Sequence, residues 1–82
     1  MINIYTNLQK LFDIAVTELK EFAPGEIFIV EDLFGDNEWN HILGVNRRKL
    51  ESLVFAYAKG IGSAEIEPVG KTLQNQQKYK KL

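Results

Sequence analysis

The chain has 82 residues, 45% of them hydrophobic and 26% charged, which bounds one small globular domain and excludes a disordered chain. It contains no cysteine, which removes disulfides, thiolate nucleophiles and zinc-thiolate sites together. A net charge of −1 hides a segregation: residues 1–45 carry two bases and eight acids, residues 46–82 eight bases and three acids. Such asymmetry points to a polyanion or an oppositely charged protein, unless the two halves interleave their charges on folding.

The start, MINIYTNLQK, lacks the basic opening and apolar run of a signal peptide. The longest apolar stretch, IFIV, is far shorter than a bilayer span. These features predict a cytoplasmic chain, folded as a single domain over 1–82, with residues 1–23 forming an N-terminal amphipathic helix.

In that first helix Ile4, Leu8, Leu11, Phe12, Ala15, Val16 and Leu19 recur at three and four residues. Thr6 with Gln9 forms a capping-box pattern, and Asn3 is an alternative cap. Pro24 and Gly25 end the segment. The stripe is long for so small a domain, which makes this helix the candidate contact of a homodimer.

EIFIV, residues 26–30, is short, β-branched and aromatic, as a strand requires. EDLF can open a short helix, its acids suiting a helix start. EWNHIL repeats Trp39, Ile42 and Leu43 at helical spacing. The third helix is expected to have Asn46 as N-cap, Val45 stapled on Leu50, a buried face of Leu50, Leu53, Val54, Tyr57 and Ala58, and a left-handed stop at Gly60. AEIEP and KYK then alternate as two strands of a hairpin across a long polar connection, Gly70 to Gln77.

Three helical elements, a short early strand and a C-terminal hairpin predict an α+β, winged-helix-like fold with a small antiparallel sheet. Gly25, Phe28, Val30, Asp32, Leu33 and Phe34, then Trp39, Arg48, Leu50 and Phe55, then Asn75, Gln76 and Tyr79 form a pattern over residues 24–82. This pattern resembles a family of small bacterial proteins defined as a domain of unknown function. The resemblance bears on fold and carries no catalytic residues.

Enzyme chemistry finds little support. Gly70-Lys71-Thr72 lacks the glycine five positions earlier that a P-loop needs, since Glu65 stands there. His41 is the only histidine, and Glu31, Asp32, Asp36 and Glu38 lack calcium-loop spacing. Ser52, Ser63 and Thr72 have no nucleophile motif around them. No enzyme, metal site or cofactor is expected.

The bases carry the functional reading. Arg47, Arg48 and Lys49 in the first turn of the third helix oppose its dipole, a cost a phosphate backbone would reverse. Arg48, Ser52 and Lys59 are expected to face a DNA groove, with Arg47, Lys49, Lys71, Lys78 and Lys80 toward phosphates. Two readings remain: a small DNA-binding regulator using the third helix and hairpin, or a protein-interaction module on the same scaffold. In the second, the acidic first half or exposed apolar residues of the first helix would dock a partner. A plain structural alternative is that Asp36 or Glu38 pairs with the helix cations, and Glu65 and Glu67 with Lys78 and Lys80 across the hairpin.

Overall fold

The computed structural model describes residues 2–82, with every side chain among them except that of Asp36. In chain order the elements are α1 (Leu8–Leu19), β1 (Ile27–Phe28), a 3-10 turn (Val30–Leu33), α2 (Asp36–Asn40), α3 (Gly44–Lys59), β2 (Ile66–Lys71) and β3 (Gln77–Lys81). The three strands form one antiparallel sheet in the order β1-β3-β2. The early strand therefore joins the outer edge of the C-terminal hairpin, and the fold is α+β and winged-helix-like.

Local chemistry sets most element ends. Asn7, not Thr6 or Asn3, caps α1: its Oδ1 accepts from the Lys10 amide at 2.8 Å. Asn3 and Thr6 instead close a turn ahead of the helix, the Asn3 amide donating to Thr6 Oγ1 at 2.9 Å. Ile4 thus precedes the helix and is exposed. Pro24 and Gly25 occupy the middle of a turn in which the Glu26 amide donates to the Ala23 carbonyl, and Gly25 takes φ 94°. This turn delivers β1, which is only two residues long where the sequence predicts five. Val30 turns into the 3-10 segment because Asp32 Oδ2 accepts from the Ile29 amide at 2.9 Å.

The core is one cluster drawn from every element: Leu11, Ala15 and Leu19 of α1, Phe28 of β1, Val30 and Leu33, Trp39, then Leu50, Val54 and Ala58 of α3, with Ile66 and Tyr79 from the hairpin. Phe28 lies opposite Tyr79 across the ladder, and their rings stack at 5.8 Å. Within the α1 stripe Leu11, Ala15 and Leu19 are buried in this core, while Leu8, Phe12 and Val16 are half-buried at its edge. Leu53, expected in the core, is 38% exposed because its position on α3 falls beside the packed face.

Two further expectations about α3 change. The helix begins at Gly44 with Leu43 as its uncapped N-terminal neighbour, earlier than an Asn46 cap would place it. Val45 is 46% exposed and staples nothing. At the other end Gly60 has φ −123°, an ordinary negative value, so the stop is not left-handed. Gly62 is the glycine that packing demands: a Cβ there would run into the Tyr57 ring. Gly62→Ala is accordingly expected to cost about 1–3 kcal/mol by overpacking, read as a lower urea midpoint. An unchanged midpoint would mean the Tyr57 ring swings aside freely.

The hairpin connection is tight. Thr72 and Gln76 close a three-residue loop, with the Asn75 amide donating to the Thr72 carbonyl at 2.9 Å and Asn75 at φ 66°. Gly70, Lys71 and Gln77, which the sequence places in the connection, are themselves paired strand, so the connection shortens to residues 72–76. A bulge between Pro68 and Gly70, together with polar residues in the paired positions, disguises this in the sequence.

Candidate nucleic-acid interface

Alternation and register divide the basic residues among three places. On α3, Val45, Arg48, Lys49, Ser52, Phe55, Ala56 and Lys59 recur at three and four residues, all exposed, and hold no acid. This is the face opposite Leu50, Val54 and Ala58. The Lys59 Nζ sits 5.8 Å from the centre of the Phe55 ring one turn earlier. Arg48 folds back along the helix, its Nη1 3.8 Å from where a Cβ on Gly44 would stand. Its charge therefore lies toward the helix start and the first, unpaired amides of α3.

Arg47 is a correction. The sequence places it on the phosphate side, but its Nε donates to the Ile42 carbonyl at 3.1 Å and its guanidinium lies 5.9 Å from the Trp39 ring centre. The side chain is half-buried and ties the start of α3 to the end of α2. Because α3 starts at Gly44, Arg48 and Lys49 lie in its second turn, so the dipole argument for them is weaker than the sequence suggests.

The hairpin splits its lysines between faces. Lys71 pairs with Gln77, two residues before Tyr79, so Lys71 lies on the sheet face that meets α3. Lys78 and Lys80 alternate with the buried Tyr79 and point to the other face. They do not join the α3 cations. Lys80 stands opposite Glu67, as expected, while Lys78 stands opposite Gly70 and not an acid. Among the described residues the one ion pair is Lys81 with Glu65, at 3.6 Å. Glu38 pairs with no α3 cation, and the Asp36 side chain, the alternative for that role, lies outside the described residues.

Between α3 and the hairpin lies an open cleft of about 590 Å³. Val30, Tyr79 and Phe55 supply its apolar lining; Arg48, Glu51, Ser52, Lys71, Asn75 and Gln77 supply polar groups. Gln77 is held there by two bonds, its Nε2 donating to the Gly70 carbonyl at 2.7 Å and the Lys78 carbonyl at 3.0 Å. Burial pushes the Glu51 carboxyl above its ordinary pKa; Arg47 pulls it down and Glu31 pushes it up. Burial, with a smaller push from Glu51, holds the Tyr79 phenol up to about 12. Arg48, Ser52 and Lys71, site residues by sequence, do meet here. Glu51, Gln77 and Tyr79 escape the sequence reading: Glu51 sits one residue beside the outward stripe, and Tyr79 looks from sequence like core alone.

A family model described as Domain of unknown function (DUF1413) matches residues 13–81. The chain belongs to that family. The match begins inside α1, ahead of residue 24 where the resembling pattern starts, so the second half of the first helix is part of the shared domain. Of the residues that carry the resemblance, Val30, Arg48, Phe55, Asn75 and Tyr79 converge on the cleft. No curated protein and no solved structure matches the chain. Among the described residues no helix is long and apolar enough to cross a membrane.

Proposed function

We propose that the chain is a small DNA-binding regulatory protein that lays the outward face of α3 against duplex DNA, with the β2–β3 hairpin beside it. One observation carries this reading. Arg48, Lys49 and Lys59 lie with Ser52 on the exposed face of α3, Lys71 stands on the sheet face toward α3, and no described carboxylate lies within 4.0 Å of these four cations. A surface built only for stability would intersperse acids there, whereas cations left unpaired beside polar side chains suit a phosphate backbone. The overall charge of −1 confines the attraction to this side, since the acids of residues 1–45 repel DNA elsewhere.

The test is a fluorescence-anisotropy titration with a labelled duplex at two salt concentrations. The parent is expected to bind more weakly at the higher salt. The triple variant Arg48→Ala, Lys49→Ala, Lys71→Ala is expected to lower the salt slope by roughly one for each phosphate it no longer touches. Lys78→Ala with Lys80→Ala, on the far sheet face, is expected to change the slope little. Absence of salt-dependent binding, or an equal loss in both variants, overturns the reading.

Phe55, 41% exposed, and Leu73, fully exposed at the hairpin tip, support a second reading: an interaction module taking an acidic protein segment on the same face. Phe55→Ala with Leu73→Ser separates the two. Duplex affinity held within about twofold favours DNA; disappearance of a partner recovered from nuclease-treated extract favours protein.

A further inference from the structure

The cleft between α3 and the hairpin contains two groups whose hydrogen-bonding capacity is unused. The Tyr79 hydroxyl is fully buried and meets no hydrogen-bond partner among the described residues. Glu51, half-buried in the same lining, accepts no hydrogen bond and pairs with no cation within 4.0 Å among those residues. A buried hydroxyl left unpaired costs stability, and so does a half-buried carboxylate held out of water. Toward solvent the cleft carries Arg48 and Lys71, both exposed and without a described carboxylate partner. Its volume of about 590 Å³ lies within the range of small-molecule sites, and Val30 and Phe55 give it apolar walls.

We propose that this cleft binds a small planar organic anion that carries a primary amide. The anionic end lies between Arg48 and Lys71. The flat body packs on Val30 and Phe55. At the inner end the amide nitrogen donates to the Glu51 carboxylate and the amide carbonyl accepts from the Tyr79 hydroxyl. The phenol is a donor at every physiological pH because burial holds its ionisation near pH 12. Gln77 is tied to two backbone carbonyls, so Glu51, which is bonded to nothing, is the side chain that moves to admit the ligand. Each end thus meets the opposite hydrogen-bonding character, a match that neither a neutral amide nor a bare carboxylate completes.

Such a site goes beyond the DNA reading and stands without it, because its test contains no nucleic acid. The probe is 4-carbamoylbenzoate, titrated into the ¹⁵N-labelled full chain and followed by amide shifts at Ser52, Asn75, Gln77 and Tyr79. A dissociation constant on the order of 1 mM is expected for a molecule of this size. Benzamide and benzoate, each lacking one end, are expected to bind about tenfold more weakly. Arg48→Ala is expected to weaken binding about tenfold, and Tyr79→Phe, which keeps the ring and the fold, about fivefold. Glu51→Ala is expected to weaken it by a similar factor, since the acceptor that the amide nitrogen meets is removed. The inference is overturned if the probe shifts none of these amides, or if Tyr79→Phe and Arg48→Ala bind it as the parent does. It is also overturned if the spectrum shows Tyr79 hydrogen-bonded to Glu51 and the pair unmoved by the probe.

Discussion

Leu50→Ala is expected to lower the unfolding free energy by about 2–5 kcal/mol. Leu50 is wholly buried on the inner face of α3. It stands on the same side as Val54 and Ala58, where α3 meets α1 and the hairpin. Truncating the side chain there forfeits transfer free energy and leaves a cavity. A helix pinned at one end by Arg47 and at the other by the Tyr57–Gly62 contact cannot close it. A domain of this length has a total stability of roughly 4–12 kcal/mol, so the variant should sit close to the edge of folding. Trp39, itself buried, reports the transition by fluorescence in urea. An unchanged slope with a lower midpoint is the expected pattern. A loss below about 1 kcal/mol would mean that α3 slides to fill the gap, and the cleft geometry would then not be held by this packing.

The second expected result concerns alkaline pH. In the unfolded chain Tyr79 ionises near its ordinary value of 10.0, while in the native chain burial holds it to about 12. Between those values the unfolded state has released a proton that the native state keeps. Stability must therefore fall as pH rises from about 10, and the Tyr79 contribution levels off only once the native phenol ionises near 12. Urea midpoints measured from about pH 9 to pH 12 should drop more steeply for the parent than for Tyr79→Phe. Tyr57 is pushed the same way by burial and by Glu65, which is why the difference between parent and variant, not the parent alone, isolates Tyr79. Phenolate absorbance should lose its latest-titrating tyrosine in the variant. At neutral pH the variant should be at least as stable as the parent, because the hydroxyl it removes has no partner among the described residues. Equal pH slopes for the two proteins would show that the phenol is solvated in the native state.

The Tyr79 result also bears on the cleft. If Tyr79→Phe folds with undiminished stability, any fall in probe affinity in that variant belongs to the missing hydroxyl and not to a disturbed fold. The DNA titration draws on Arg48 and Lys71 as well, but its control variants lie on the far sheet face. The two proposals therefore fail separately: failure of salt-dependent duplex binding leaves the probe titration intact, and an inert cleft leaves the α3 face intact.

What the chain's local order determined, and what it could not, differ for a physical reason. Helical periodicity is a property of neighbours three and four apart, so the α1 and α3 cores, Leu11, Ala15 and Leu19 with Leu50, Val54 and Ala58, were legible directly. So was the element order that predicts a winged-helix-like fold. Helix ends were less legible because several polar residues near a start compete to cap it, and Asn7 won over Thr6 and Asn3 through one bond to the Lys10 amide.

The face on which each lysine sits depended on register, which only long-range pairing sets. A strand turns each successive side chain to the opposite face, so pairing Lys71 with Gln77 put it on the α3 side and left Lys78 and Lys80 behind the sheet. Arg47 likewise looks like its neighbours in sequence, and only the return of the chain through Trp39 and Ile42 gives its guanidinium a carbonyl and a ring to hold. Composition and periodicity determined that this chain makes one small α+β domain with a basic C-terminal half. Tertiary pairing decided which of those bases share a surface, and it brought Glu51 and Tyr79 together beneath them, because contacts between residues distant in sequence leave no period in the chain to read.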